Sequence, residues 1–389
     1  MWFEKQREYC KLINMVNIDQ SQLYKTQISL TEWFEMVTHE KTDLLRLEDN
    51  DKRERLAVLN QIINLPFDKP TQFPASVLAN PSPGFRKFLK TRGEELCALR
   101  LIPADPSLPK LRMRGLSIKK AMKWFRQQNI NPKFYKADFI PHGDKQKQST
   151  ILIVNKHGIF GEIIKGGHYQ LTQGFYDQGE PITFAFDFKK LAISQPHPEY
   201  EKYLKKLFKM LKVADSLKRQ LLQKKLQAKF YQNYLAGYFE TVDTQEYGLW
   251  FTDYNRILDK LYDNYFPRFP TVTSSTKMIK GQVASHGKVT GKVKIILSHQ
   301  LNGAFLEESE ILVCDMTTPD YVPLMKKALA IVTDFGGILS HAAIISRELG
   351  KPCLTATKIS TQILKNGDII EVDTSTASIT VLKKLSFHH

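Results

Sequence analysis

The 389-residue chain carries 56 lysines and arginines against 40 aspartates and glutamates, a formal net charge of +16, and its length gives room for two or three domains with cores of their own. Four cysteines (Cys10, Cys97, Cys314, Cys353) lie far apart with no pair at metal-knuckle or redox spacing, which excludes a disulfide scaffold and points to a reducing, cytoplasmic setting. No apolar run approaches the roughly 20 residues of a membrane helix, and the opening MWFEKQREYC lacks a signal-peptide layout, so no membrane association is expected.

Residues 1 to about 60 read as helical, with segments such as Trp33-Phe34-Glu35-Met36-Val37 among many charges. Between Leu65 and Pro83, prolines at 66, 70, 74, 81 and 83 predict extended or loop structure. From Glu95 onward short apolar strands (Leu96 to Ile102, Ala137 to Ile140, Thr150 to Asn155, Ile159 to Ile164) alternate with a helix near Ile118 to Gln128, an α+β pattern. A long helix is expected around Glu199 to Tyr231. Its residues Tyr203, Leu204, Leu207, Phe208 and Leu211 fall on one face, so its lysines form a solvated surface more readily than a nucleic-acid footprint. No nucleic-acid-binding module is recognisable.

Two strands, Tyr238 to Val242 and Gly248 to Tyr254, make a hairpin. Side chains alternate along a strand, so Asp253 and Asn255 share a face that Glu240 on the paired strand can join. Three hard oxygen ligands there suit Mg²⁺ held against ATP phosphates, and equally suit an ordinary polar hairpin. No Walker-type glycine loop is present. Phe266-Pro267-Arg268-Phe269-Pro270, followed by Thr271 to Thr276, reads as a linker.

Beyond the linker a unit of about 105 residues has the size of a small domain. In it a strand (Ala330 to Thr333) runs into Gly336-Gly337, and a helix starts near Ser340, a good N-cap, and stops at Gly350 before Pro352. His341 therefore falls in a first helical turn, where free N–H groups and the helix dipole favour a phosphate. A neutral imidazole is a competent nucleophile near pH 7.

This segment resembles the phosphohistidine swivelling domain of the phosphoenolpyruvate-utilising enzymes, which include phosphoenolpyruvate synthase, pyruvate phosphate dikinase and rifampicin phosphotransferase. The resemblance covers about Gly281 to Leu382, through Gly281-Gln282-Val283-Ala284-Ser285-His286-Gly287, Thr317-Thr318-Pro319-Asp320, the run from Thr333 to Gly350, and Asn366-Gly367-Asp368. It implies that His341 is phosphorylated, that Thr318, Thr333, Gly336, Gly337 and Ser340 shape its pocket, and that Arg347 is available to an anion.

The hairpin, an acid followed by Asp-x-Asn, is similar to the metal site of ATP-grasp enzymes, the fold of the nucleotide domain in the same family. The resemblance extends over about Leu96 to Asn255. It implies that Glu240, Asp253 and Asn255 hold Mg²⁺ and that Arg100 contacts ATP phosphates as a planar fork. Arg112 and Arg114 are further candidates, and Glu162 and Lys165 are candidates to line the cleft. Arg100-Leu101-Ile102 stands where the family shows Arg-Ser-Ser, and Asp253-x-Asn255 where it shows Gln-x-Arg. The family's glycine-rich segment with its nucleotide-contacting lysine is not visible in Met1 to Asn80.

The expected architecture is a mainly helical region (1–90), an α+β ATP-grasp-like nucleotide domain (91–264), a linker (265–280) whose freedom turnover needs, and a small α/β phosphohistidine swivelling domain (281–384). The expected function is an ATP-dependent, dikinase-like phosphotransferase that phosphorylates its own His341 and passes the group to a small-molecule or separate-chain acceptor. In the family the β-phosphate of ATP is used and AMP is left. A pyruvate-binding barrel, which follows this domain in phosphoenolpyruvate synthase, has no counterpart in the chain. Two alternatives stand beside this reading: a non-catalytic, nucleotide-responsive interaction protein, and one subunit of a split phosphoenolpyruvate synthase-like enzyme. The acceptor, the choice between AMP and ADP, the role of residues 1–90 and the oligomeric state stay open.

Overall fold

A computed structural model of the protein describes residues 30–37, 42–105, 108–143, 145–174, 176, 179–267 and 278–385. Helices Leu30–Val37, Thr42–Asn50 and Lys52–Ile63 open the described chain. The proline-rich stretch is more ordered than the sequence suggests. Thr71–Pro74 is a strand and Ala75–Ala79 a short helix. Pro74 is tolerated because this strand lies at the edge of its sheet, where a missing N–H breaks no inner ladder.

Two antiparallel sheets build the middle of the molecule. The smaller has four strands in the order Thr71–Pro74, Tyr135–Pro141, Leu96–Pro103, Leu111–Ser117, with Ile118–Arg126 packed on it around Leu99, Ala137 and Phe139. The larger has six, in the order Gly248–Asn255, Gly237–Thr244, Gln146–Asn155, Gly158–Lys165, Ile182–Phe186, Leu191–Ile193. One face of this sheet is closed by Pro198–Leu211, whose Tyr203, Leu204, Leu207, Phe208 and Leu211 are all buried, with its lysines outward.

The single long helix expected over 199–231 is two helices. Pro198–Leu211 ends, and Ser216–Leu226 begins afresh because the Asp215 carboxylate accepts the Leu217 and Lys218 N–H groups as an N-cap. The chain then turns into the two-residue strand Phe230–Tyr231.

The last unit is a mixed eight-stranded sheet. Its centre is parallel, in the order Lys288–Ile295, Glu310–Cys314, Ile331–Thr333, Cys353–Thr355, and antiparallel strands flank it. Cys97, Cys314 and Cys353 are buried free thiols. Residues 268–277 of the expected linker lie outside the described residues. Its start differs from expectation: Tyr265 is buried, and the Phe266 ring packs edge-on against Phe160, so aromatic burial holds the chain to the larger sheet at least that far.

The other face of the larger sheet does not meet solvent. Ile151, Ile153, Phe160 and Ile164 share one apolar cluster with Leu339, Ala343, Ile344 and Ile345 of the last unit and with Trp33 and Phe34. Among the described residues no helix is long and apolar enough to cross a membrane.

Candidate functional site

The loop that leads into His341 is the feature the sequence predicts most sharply. Strand Ile331–Thr333 ends with the Thr333 hydroxyl donating to the Phe335 carbonyl at 2.6 Å. Gly336 adopts φ +108°, a conformation open to glycine at little cost. Ser340 caps helix His341–Glu348, its Oγ accepting the Ala343 N–H. His341 is the first helical residue and is only 7% exposed. Burial, with Arg112 adding repulsion, pushes its imidazole down to about 3, so the ring is neutral at physiological pH. The Trp33 ring meets it edge to face, centroids 5.7 Å apart.

His341 opens into a hollow that it shares with Asp49, Lys52, Arg114, Glu240 and Asp253. Arg112, His168, Thr172, Tyr238 and Asn255 complete its polar wall. A second hollow adjoins it between the two middle sheets, with Arg100, Ile140, Pro141 and Trp250 among its lining. Lys52, Arg112, Arg114, His168 and Glu240 belong to both.

The hairpin delivers its acids as the alternation predicts. Glu240 and Asp253 are direct cross-strand partners, as are Tyr238 and Asn255. Burial and the nearby Asp253 charge raise the Glu240 carboxyl, and the Tyr238 hydroxyl donates to Glu240 Oε1 at 2.7 Å. Asp253 Oδ1 is buried without a hydrogen bond. Two like charges side by side, one oxygen unsatisfied, are chemistry that a hard cation relieves. Asn255 departs from its expected role. Its Oδ1 accepts the N–H groups of Ile257 and Leu258, at 2.9 and 3.0 Å, which fixes the turn after the strand instead of offering the oxygen to a metal. Among the described residues no three of His, Cys, Asp and Glu are grouped to hold a metal unaided.

Cations come from an unexpected quarter. Lys52, on an N-terminal helix, places Nζ 2.9 Å from Asp253 Oδ2 and 2.9 Å from Asp49 Oδ1. Asp49 also pairs with Lys110 at 2.5 Å and Arg100 at 3.2 Å. Burial alone would raise this carboxyl, yet Lys110, Lys52 and Arg100 hold it well below its ordinary range. Arg100 thus lies in the cleft as expected, but with a carboxylate as its present partner. Arg53, paired with the buried Asp68, lines the outer hollow. The helix carrying these groups is fixed to the hairpin by Arg55, which bonds Glu48 and donates twice to the Tyr254 carbonyl, at 3.1 and 3.0 Å. Sequence reasoning missed Lys52, Asp49, Arg53 and His168. The run Glu48-Asp49-Asn50-Asp51-Lys52-Arg53-Glu54-Arg55 looks like a solvated helix face, and only the burial of Glu48, Arg53 and Arg55 shows otherwise.

Three further expectations change. Glu162 does not line the cleft: fully buried, it accepts the backbone N–H groups of Ile338 at 3.1 Å and Leu339 at 3.3 Å, in the loop that leads into His341. Lys165 is exposed at the end of its strand, an odd number of residues from Glu162 and so on the other face. Arg347 does not line either hollow. Its guanidinium lies 4.2 Å from the Tyr262 ring centroid and 4.1 Å from that of Tyr265, a cation–π stack across the contact between the units. Thr318 is buried with its hydroxyl unpartnered, and Gly337 leaves the room that Glu162 fills: a Cβ there would lie 2.2 Å from the carboxylate.

Geometry thus defines a class: a buried histidine at a helix start that faces a cleft between two sheets, lined by basic side chains and a carboxylate pair. Residues 306–377 match the phosphoenolpyruvate-utilising enzyme mobile domain. Among curated proteins, a probable phosphoenolpyruvate synthase of Archaeoglobus fulgidus is 53% identical over 96 residues, covering 25% of this chain and 13% of that protein. The uncharacterized phosphotransferase YvkC of Bacillus subtilis is 49% identical over 106 residues, 27% and 13% of the two chains. The alignments thus span about an eighth of these relatives. A solved macrocyclase, MdnC of Microcystis aeruginosa, aligns over 56% of this chain and 57% of its own at 14% identity, with a TM-score of 0.30, too low for the likeness to carry weight.

Proposed function

We propose that the protein is an ATP-dependent phosphotransferase that forms a phosphohistidine at His341 and then passes the phosphoryl group to an acceptor. The observation that carries this reading is that the one histidine at the start of the carrier helix opens into the same hollow as the Glu240–Asp253 pair, Lys52, Arg112 and Arg114. The neutral ring has a free electron pair for phosphorus, and the P–O bond to the nucleotide breaks as the N–P bond forms. Charge on the moving phosphoryl is offset by Arg112, Arg114 and Lys52, fixed beforehand by the sheet and by helix Lys52–Ile63. Bound between Glu240 and Asp253, Mg²⁺ would supply positive charge to the nucleotide phosphates. Asp49 now occupies the cations Arg100, Lys110 and Lys52, so an incoming phosphate has to replace its carboxylate there.

The test is labelling with ATP carrying the isotope at its β or its γ phosphate. An acid-labile, alkali-stable label is expected on His341, and the choice of isotope position decides whether AMP or ADP is left. His341→Ala should abolish the label without unfolding the protein. A folded His341→Ala protein that labels as well as the parent would refute the assignment.

A further inference from the structure

The register of the larger sheet contains a row that crosses from the cleft to the carrier loop. Asp253 pairs with Glu240, Glu240 with Ile151 and Ile151 with Glu162, so all four lie on one face, with Glu162 two strands, or about 10 Å, from Glu240. The nearer acids belong to the cleft. Glu162 is outside it, yet it is fully buried, and among the described residues its hydrogen-bond partners are two backbone N–H groups of the loop that ends in His341. A buried carboxylate without a cationic partner is costly and needs a reason.

The same loop is held at other atoms. The Tyr262 hydroxyl donates to the Ile338 carbonyl at 3.2 Å, and the Tyr176 oxygen receives the Gly336 N–H. Ile338 is therefore gripped at both its N–H and its C=O by side chains of the domain that carries the cleft. The fit is tight from both directions. Gly337 has no room for a Cβ against Glu162, and a Cβ on Gly174 would lie 2.8 Å from the Gly336 Cα. Backbone atoms are present whether or not the histidine is charged, so such a grip reports the position of the loop and is indifferent to the chemistry beyond it.

We propose that Glu162 and Tyr262 are positioning residues: a clamp on the Ile338 peptide that sets His341 at its charging station while touching neither nucleotide nor phosphate. The proposal rests on the phosphoryl-transfer reading above. Its first test needs no nucleotide. Reaction of His341 with diethyl pyrocarbonate, followed on the His341 peptide by mass spectrometry, measures how often the buried ring is released. Glu162→Gln keeps the volume but sets an NH₂ against one of the two N–H groups, and should speed this reaction about tenfold, as expected for one lost hydrogen bond to a charged group. Tyr262→Phe removes only the hydroxyl, leaves the stack with Arg347, and should speed it several-fold. The double variant should label from ATP more slowly in a single turnover with an unchanged KM for ATP. Modification rates equal to the parent's in the folded variants would overturn the clamp, as would a raised KM for ATP with an unchanged labelling rate, the mark of a nucleotide contact. Faster modification in the variants together with no ATP labelling of the parent would support the clamp and remove the transfer reading, so the two can fail separately.

Discussion

At the scale of single residues, docking links two protons of opposite sense. Burial pushes the Glu162 carboxyl up to about 7 from its ordinary 4.5. When the loop docks, Glu162 takes up a proton between those values, and docking weakens as pH rises through that window. His341 goes from an ordinary 6.5 down to about 3. Its docking sheds a proton between those values and strengthens as pH rises through them. The phenols of Tyr176 and Tyr262, both raised by burial, stay protonated throughout. From about 4.5 to 6.5 the two slopes oppose each other, so docking of the parent should depend weakly on pH. Glu162→Gln removes one of them. In that variant the docking constant, read by energy transfer between dyes on the two units, should rise with pH up to 6.5 with a limiting slope of about tenfold per unit. Superimposable pH profiles for parent and variant would show that Glu162 keeps its proton state on docking.

At the scale of elements, the hairpin shows what a sequence can and cannot disclose. Alternation alone puts Glu240 and Asp253 opposite each other, and the strands Gly237–Thr244 and Gly248–Asn255 do so in register. Glu240→Gln and Asp253→Asn should each slow His341 labelling by roughly two to three orders of magnitude, the usual cost of losing one transition-state contact. Lys52→Met should do the same if its ammonium meets phosphate. Normal single-turnover rates in all three folded variants would take the metal and phosphate roles away from this hairpin. Helix His341–Glu348 is equally legible, since Ser340 caps its start and Gly350, at φ +63°, follows its end. Asn255 marks the limit of alternation, because a side-chain oxygen facing the right way can also be engaged by the next turn. Lys52 was invisible for a different reason: it reaches Asp253 across 201 positions of sequence, and no local period records such a contact. Glu162 is hidden for the same reason, since its partners, the Ile338 and Leu339 N–H groups, lie more than 170 positions away. The break before Asp215 is not visible in apolar spacing, because the first helix ends where Lys212 turns extended and bridges to Tyr234, a contact distant in sequence.

At the scale of the whole molecule, the arrangement is a docked one, and its contacts divide into a core and a rim. The core is the Ile338 clamp, the Arg347 stack on Tyr262 and Tyr265, and the bond from the Tyr265 hydroxyl to the Val283 carbonyl at 2.9 Å. At the rim Lys358 meets Glu180 at 2.9 Å, both side chains more than half exposed, and an exposed pair of this kind adds little to the hold. That makes the rim the place to test whether this docked state is the charging state. Glu180→Cys and Lys358→Cys, with Cys10→Ser to remove a competing thiol, can be joined by a short cleavable bis-maleimide. Cys97, Cys314 and Cys353 are buried and should not react. With His341 already in the hollow beside Glu240 and Asp253, the tethered protein should label from ATP at the parent's single-turnover rate, and adding the nucleotide product should discharge it through the same station. Delivery to an acceptor outside the cleft needs the loop to leave Glu162, so the tethered, labelled protein should hold its phosphoryl group against that acceptor until the linker is cut. If the tethered protein cannot be labelled but labels once the linker is cut, charging takes place in some other arrangement of the two units, and the contacts around Ile338 then describe a resting state.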